Sequence, residues 1–337
     1  MKNMSPIKQI RSSGFTLIEM MIALTVGLFV LGALVAVLSS AGRSTKSNDQ
    51  TSEMQSNGRY ALNVILRDVQ HAGQSGLTPS ATLLSAQQNG FFNIASGVSA
   101  TNDCDSSNFA LRLEQPVAGS DNSNPYSATC IPSANYSTGD ILVVRYADMQ
   151  NLIAVNPATA TTPPAFSVTN DIFLRSSYAV STLFKNGTAP YQIGTGPMQD
   201  QLLKTYVYYI SPNTTGADGI PALYRLNLTA GNMNTTELVA SGIENLQVQY
   251  GVVDASGNTQ YVDASAMTSW PSKTFPSWTQ VKSVRVWLLA RNSDSKGSGG
   301  YSNQTSYQMG NVNFVPTVGT SDKFRRQLFM TTISLRN

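Results

Sequence analysis

The chain predicts an α+β fold, with one long N-terminal α-helix packed on an antiparallel β-sheet head and a disulfide-stapled loop region between them. Three observations predict it. An apolar run over residues 15–38 is interrupted by one ionisable side chain, Glu19. Apolar positions then recur at three- and four-residue intervals as far as His71, which is helical spacing. From Asp140 onward, short β-branched and aromatic segments alternate with turn formers.

At a rise of about 1.5 Å per residue, the apolar run is long enough to cross a hydrocarbon core of ~30 Å. A carboxylate inside it costs roughly 2.5–3.5 kcal/mol at mid-membrane, so Glu19 requires a positive partner. The preceding segment carries Lys2, Lys8 and Arg11, has no acidic residue and ends in Gly14. Cleavage between Gly14 and Phe15 would create an α-amino cation close to Glu19, available to Glu19 of a neighbouring subunit.

The hexapeptide Gly14-Phe15-Thr16-Leu17-Ile18-Glu19, followed by this apolar run, resembles the class III leader of type IV pilins and type II secretion pseudopilins. The resemblance implies that a prepilin peptidase cuts after Gly14, that Phe15 becomes the N-methylated mature N-terminus, and that Glu19 docks the subunit into a filament. It makes the helix a membrane anchor before assembly and filament core afterwards. Proline, which kinks this run in many major pilins, is absent here.

Composition bounds the remainder. Hydrophobic residues make up 41% and charged residues 12%, enough for a packed core under a surface of Ser, Thr, Asn and Gln. The formal charge of +3 is carried entirely by Lys2, Lys8 and Arg11, so the mature side chains balance and direct nucleic-acid binding is not predicted. The cysteines, Cys104 and Cys130, read as one disulfide in an exported chain, worth about 3 kcal/mol in the chain-entropy model. Two free buried thiols are the alternative. A metal site is disfavoured, because His71 is the one histidine and lies at the end of the helix pattern.

In chain order, residues 39–48 are small and polar, with Arg43 and Lys46 placed to meet headgroups or water. Over residues 53–71 the stripe Met54, Tyr60, Ala61, Val64, Ile65, Asp68 and Val69 predicts an amphipathic continuation, stopped by Gly73 and Gly76. The helix therefore runs from about 15 to 72. Residues 78–138 read as a polar loop region with a short strand at 109–113. Strands follow at 141–146, 204–210, 222–228, 246–250 and 284–288, with a closing strand at 324–337, giving a sheet built mainly by the C-terminal half. No βαβ pattern or phosphate loop is present.

Residues 243–250 (IENLQVQY) and 281–291 (VKSVRVWLLAR), with the terminal Arg325-Arg326 and Leu335-Arg336-Asn337, resemble the PilW-type minor pilins, relatives of the J-type pseudopilins. This implies a type IV pilin-like fold divided into a leader at 1–14, a helix at 15–73 (membrane or filament core to about 40) and a periplasmic or extracellular head at 74–337. It also implies a single-pass inner-membrane subunit that primes assembly, stays near the pilus tip, and supports adhesion, twitching motility or DNA uptake. The implied partners are other minor pilins, the major pilin, prepilin peptidase, the inner-membrane assembly platform and a large tip adhesin. A type II secretion pseudopilin and a membrane-anchored glycan- or DNA-binding module are the alternatives.

Enzymatic chemistry and a cofactor are not expected: a serine nucleophile would need a base, the one histidine, His71, lies on the membrane-proximal helix, and no G-x-S-x-G elbow exists. Arg325, Arg326 and Arg336 are expected on the solvent side of the last strand. Asp254, Asn258 and Asp263 read as turn residues, since their spacing misses a calcium loop.

Overall fold

The computed structural model describes residues 14–78, 93–95, 97–105, 108–155, 170–185, 196–269, 274–293, 301–316 and 322–336. The basic leader segment lies outside them, as do residues 294–300 of the turn formers that the sequence places at 292–300. One helix, α1 (Leu17–His71), runs unbroken for 55 residues, close to 80 Å at helical rise. Thr16 caps its start, and Gly73, at φ 79°, ends it in the left-handed region that glycine enters without strain.

From residue 50 the helix buries Gln50, Met54, Gly58, Ala61, Ile65, Asp68 and Val69, a stripe at three- and four-residue steps. Tyr60, expected on this stripe, is exposed, and Gly58 belongs to it instead. The ring of Phe329 lies so close over Gly58 that a Cβ there would stand 2.3 Å from it. Glycine is therefore the residue that lets helix and sheet approach.

The head contains two main sheets rather than one. The larger draws on residues well before the C-terminal half: β1 (Asn93–Ile94), β2 (Val117–Ser120), β3 (Ile141–Val155), β4 (Ile172–Ser176), β5 (Ser181–Lys185), β6 (Met198–Ser211), β7 (Ala222–Thr229) and β8 (Asn232–Ser241). Their order is β1-β5-β4-β6-β3-β2, with β7 joining β6 and β8 joining β7. Pairing is antiparallel except between β1 and β5. The long β6 forks this sheet. One edge follows β3, while the other meets β4 through residues 199–202 and β7 through residues 206–211.

Gly242, at φ 74°, turns the chain from β8 into the second sheet, and a Cβ there would meet the Arg291 carbonyl at 2.7 Å. That sheet is β10-β9-β11-β14, from β9 (Ile243–Val253), β10 (Thr259–Val262), β11 (Val281–Arg291) and β14 (Arg326–Ser334). Strand alternation divides it cleanly. Leu246, Val248, Tyr250, Val284, Val286 and Leu288 join the main core, whereas Trp287 and Leu289 face away and are covered by the hairpin β12 (Tyr307–Met309) and β13 (Val312–Phe314). Helix α1 lies across β14 and β11 of this sheet and reaches β8 and β3 of the larger one.

The loop region crosses the larger sheet as a strap, closed by the Cys104–Cys130 disulfide. The strand expected at 109–113 is a 3-10 turn, Phe109–Leu111. Its carbonyls are taken by side chains instead of a ladder: Arg145 Nε donates to Phe109 O (2.8 Å) and Thr205 Oγ1 to Ala110 O (2.6 Å).

Strap and second sheet meet at Asp140, whose carboxyl accepts from Asn122 N (3.0 Å) and Val248 N (2.7 Å). Burial pushes its pKa up to about 7, against the two N–H donors that favour the carboxylate. The folded state thus holds a proton that the unfolded chain has lost between about pH 4 and 7. The Asp140 contribution to stability is greatest below that window, falls across it and levels off above. Accordingly, thermal unfolding followed by tryptophan fluorescence should decline more steeply from pH 4.5 to 7.5 in the wild type than in Asp140→Asn. Equal slopes would refute the assignment.

Candidate functional site

The first candidate site is the start of α1. Thr16 and Glu19 form a capping box: Glu19 N–H donates to Thr16 Oγ1 (3.3 Å), and Thr16 N–H donates to Glu19 Oε2 (3.4 Å). This satisfies backbone donors that the first turn leaves free and holds the carboxylate at the positive end of the helix dipole. Gly14 and Phe15 precede the cap, with Phe15 83% exposed. Along the following turns Leu17, Ile18, Met20, Met21, Leu24, Leu28, Phe29, Leu31 and Leu38 are all exposed, so this half of the helix makes no core with its own head. Among the described residues, α1 is the one helix long and apolar enough to cross a membrane.

The second is the joint that fixes the other half of α1 to the head. Asp68, which sequence spacing places on the buried stripe, is a carboxylate in the core. It accepts a short hydrogen bond from the Tyr208 hydroxyl, one from Arg225 Nη1 (2.9 Å) and one from the Tyr146 hydroxyl (3.4 Å). Arg225 also pairs with Glu237 (2.7 Å) and lies over the Tyr206 ring at 4.2 Å. Burial, with Asp68 adding to it, holds the Tyr208 phenol neutral by raising its pKa well above the usual value. Higher up the helix, Asn57 Nδ2 donates to Ser241 O (3.2 Å) and Asn292 Nδ2 to Gln50 Oε1 (3.2 Å). A long helix is thereby split into a bare apolar half and a half locked by buried polar contacts.

His71 sits in the last turn and its Nδ1 donates to the Arg67 carbonyl (2.7 Å), a helix-terminal role. Arg326 corrects the solvent-side expectation. Its side chain is 3% exposed, bonded to Glu244 and paired with Asp322 at 2.9 Å. Arg325 stacks over Tyr301 at 4.7 Å, and Arg336 is exposed. Asp254 accepts from Ser256 N and Asn258 N within its turn, while Asp263 accepts from Gln249 Nε2, so these oxygens do not converge.

A bare, membrane-length helix continued into a β-rich head defines a pilin-like fold. Residues 10–35 match the prokaryotic N-terminal methylation motif, and residues 207–337 match the type IV pilus-assembly protein W family. These two matches support a type IV pilus minor pilin of the PilW type, and the methylation motif with its apolar helix fits a single-pass inner-membrane anchor that is later part of the pilus. Searches of curated proteins and of solved structures return no match. The family role is structural, and it entails contact with other pilus components and with the membrane.

Proposed function

We propose that the chain is cut after Gly14, methylated on Phe15, and drawn into a nascent pilus that it helps to prime, remaining near the tip. The observation that carries this reading is the division of α1: an exposed apolar half that requires lipid or other apolar helices, joined without a break to a half fixed on the head. Residues 15–73 then form the assembly helix and 74–337 the head. On insertion, the Glu19 carboxylate exchanges its weak capping-box contacts for the Phe15 amine of a neighbouring subunit. Other minor pilins, the major pilin, the assembly platform and a tip adhesin are the partners in this reading, with prepilin peptidase acting first.

The test is Glu19→Ala with the leader intact. Processing should continue while piliation falls roughly tenfold or more, since a factor of ten corresponds to only about 1.4 kcal/mol. Normal piliation would remove the pairing. Intact mass of protein from sheared fibres should begin at N-methylated Phe15, whereas a chain starting at Met1 and confined to membranes would overturn the whole reading.

A further inference from the structure

The strap does not cover the larger sheet completely. Between the 3-10 turn Ser133–Asn135, the β6–β7 turn and β8 lies a cavity of about 430 Å³, within the range of small-ligand sites. Its aromatic wall is the cross-strand pair Tyr209–Tyr224, with ring centroids 6.1 Å apart and planes at 22°. The Tyr224 hydroxyl donates to the Thr214 carbonyl, which fixes ring and turn together. The turn is fixed from its other side as well. Asp218 accepts from Thr214 N (3.0 Å), Thr215 N (3.1 Å) and Ile220 N (3.0 Å), and Asn213 Oδ1 accepts from Gly219 N (2.7 Å). The site is built rather than a gap between mobile loops.

Two further features define what fits. Its described lining carries no Asp, Glu, Lys, Arg or His, and burial raises the pKa of both tyrosines, so the lining itself is neutral and the Asp218 carboxylate stands behind it, occupied by Thr214, Thr215 and Ile220. Tyr209 is only 2% exposed, and its hydroxyl, like the exposed side chains of Asn135, Thr215 and Thr236, has no hydrogen-bond partner among the described residues and is left to solvent in the cavity. An apolar ligand would leave these groups unpaired, and a phosphate or carboxylate would find no cation. Hydroxyl groups on a flat, weakly apolar ring satisfy both the aromatic wall and the neutral donors and acceptors.

We infer that this cavity binds a neutral sugar, one or two pyranose rings of a glycan. The reading is independent of how the subunit assembles. The experiment is saturation-transfer NMR on the processed full-length chain, in a zwitterionic detergent without a sugar headgroup, with lactose, maltose and N,N′-diacetylchitobiose as probes. At least one should receive saturation on its ring protons, equally at low and high salt. Asn135→Ala should weaken that binding roughly 3–10-fold, the loss of one hydrogen bond. Thr236→Arg, at an exposed position of β8, should abolish it with the unfolding temperature unchanged. Absence of transfer to all three sugars would overturn the inference. So would binding that survives both substitutions, or binding confined to sialylated glycans or single-stranded DNA.

Discussion

Asp68→Ala is expected to lower the unfolding temperature of the processed chain by about 10 °C. The substitution strips the Tyr208 hydroxyl and Arg225 of a buried partner and takes the weaker Tyr146 contact with them. Removing one member of such a buried charged cluster costs roughly 3–5 kcal/mol, and a domain of this size loses about 2–4 °C per kcal/mol. Glu237 still neutralises Arg225, which favours the lower part of that range. Asp68→Asn keeps the shape and an acceptor, so it should fall between wild type and alanine. Because this joint holds the lower half of α1 on the head, loss of piliation should track the loss of stability across the two variants. A shift under about 2 °C for Asp68→Ala, on the same scale, would mean the joint is held by the apolar stripe alone.

Arg145→Met is expected to loosen the strap, with a total cost of about 2–4 kcal/mol. Arg145 is wholly buried on β3 and acts on three segments at once. Its guanidinium donates to Phe109 O (2.8 Å) and Gln115 O (2.9 Å), its N–H to Pro116 O (2.8 Å), and its carbonyl accepts from Gly73 N (2.9 Å) beyond the helix end. Burial lowers its pKa to about 10, because desolvation disfavours the charged form there. Methionine removes that cost and fills similar volume, but it leaves the Gln115 carbonyl without its donor and Phe109 O with only the long Arg112 N–H contact (3.5 Å), at roughly 1–3 kcal/mol each, and the second effect wins. Limited proteolysis should therefore cut within residues 108–116 while the Cys104–Cys130 disulfide stays closed. A variant as resistant as wild type would place the strap's stability in the disulfide and in Leu111 and Leu113 instead.

The sequence by itself determined the features that repeat locally. The span of α1, its end near Gly73 and the cores of β3, β6, β7, β9, β11 and β14 all follow from spacings of two, three or four residues and from turn formers. The disulfide followed from a cysteine count of two in an exported chain. Asp68 was legible as a position on the buried stripe; its partners were not, because Tyr208 and Arg225 stand 140 and 157 residues away. The tertiary structure alone decided the rest. It forked β6 between β4 and β7, split the head into two sheets at Gly242, buried Arg326 against Glu244, and turned residues 109–111 into a 3-10 turn by capping their carbonyls from β3 and β6. Local periodicity specifies which face of an element is apolar. Which distant side chain meets a buried charge or carbonyl depends on how those faces stack, and that is a property of the packed chain.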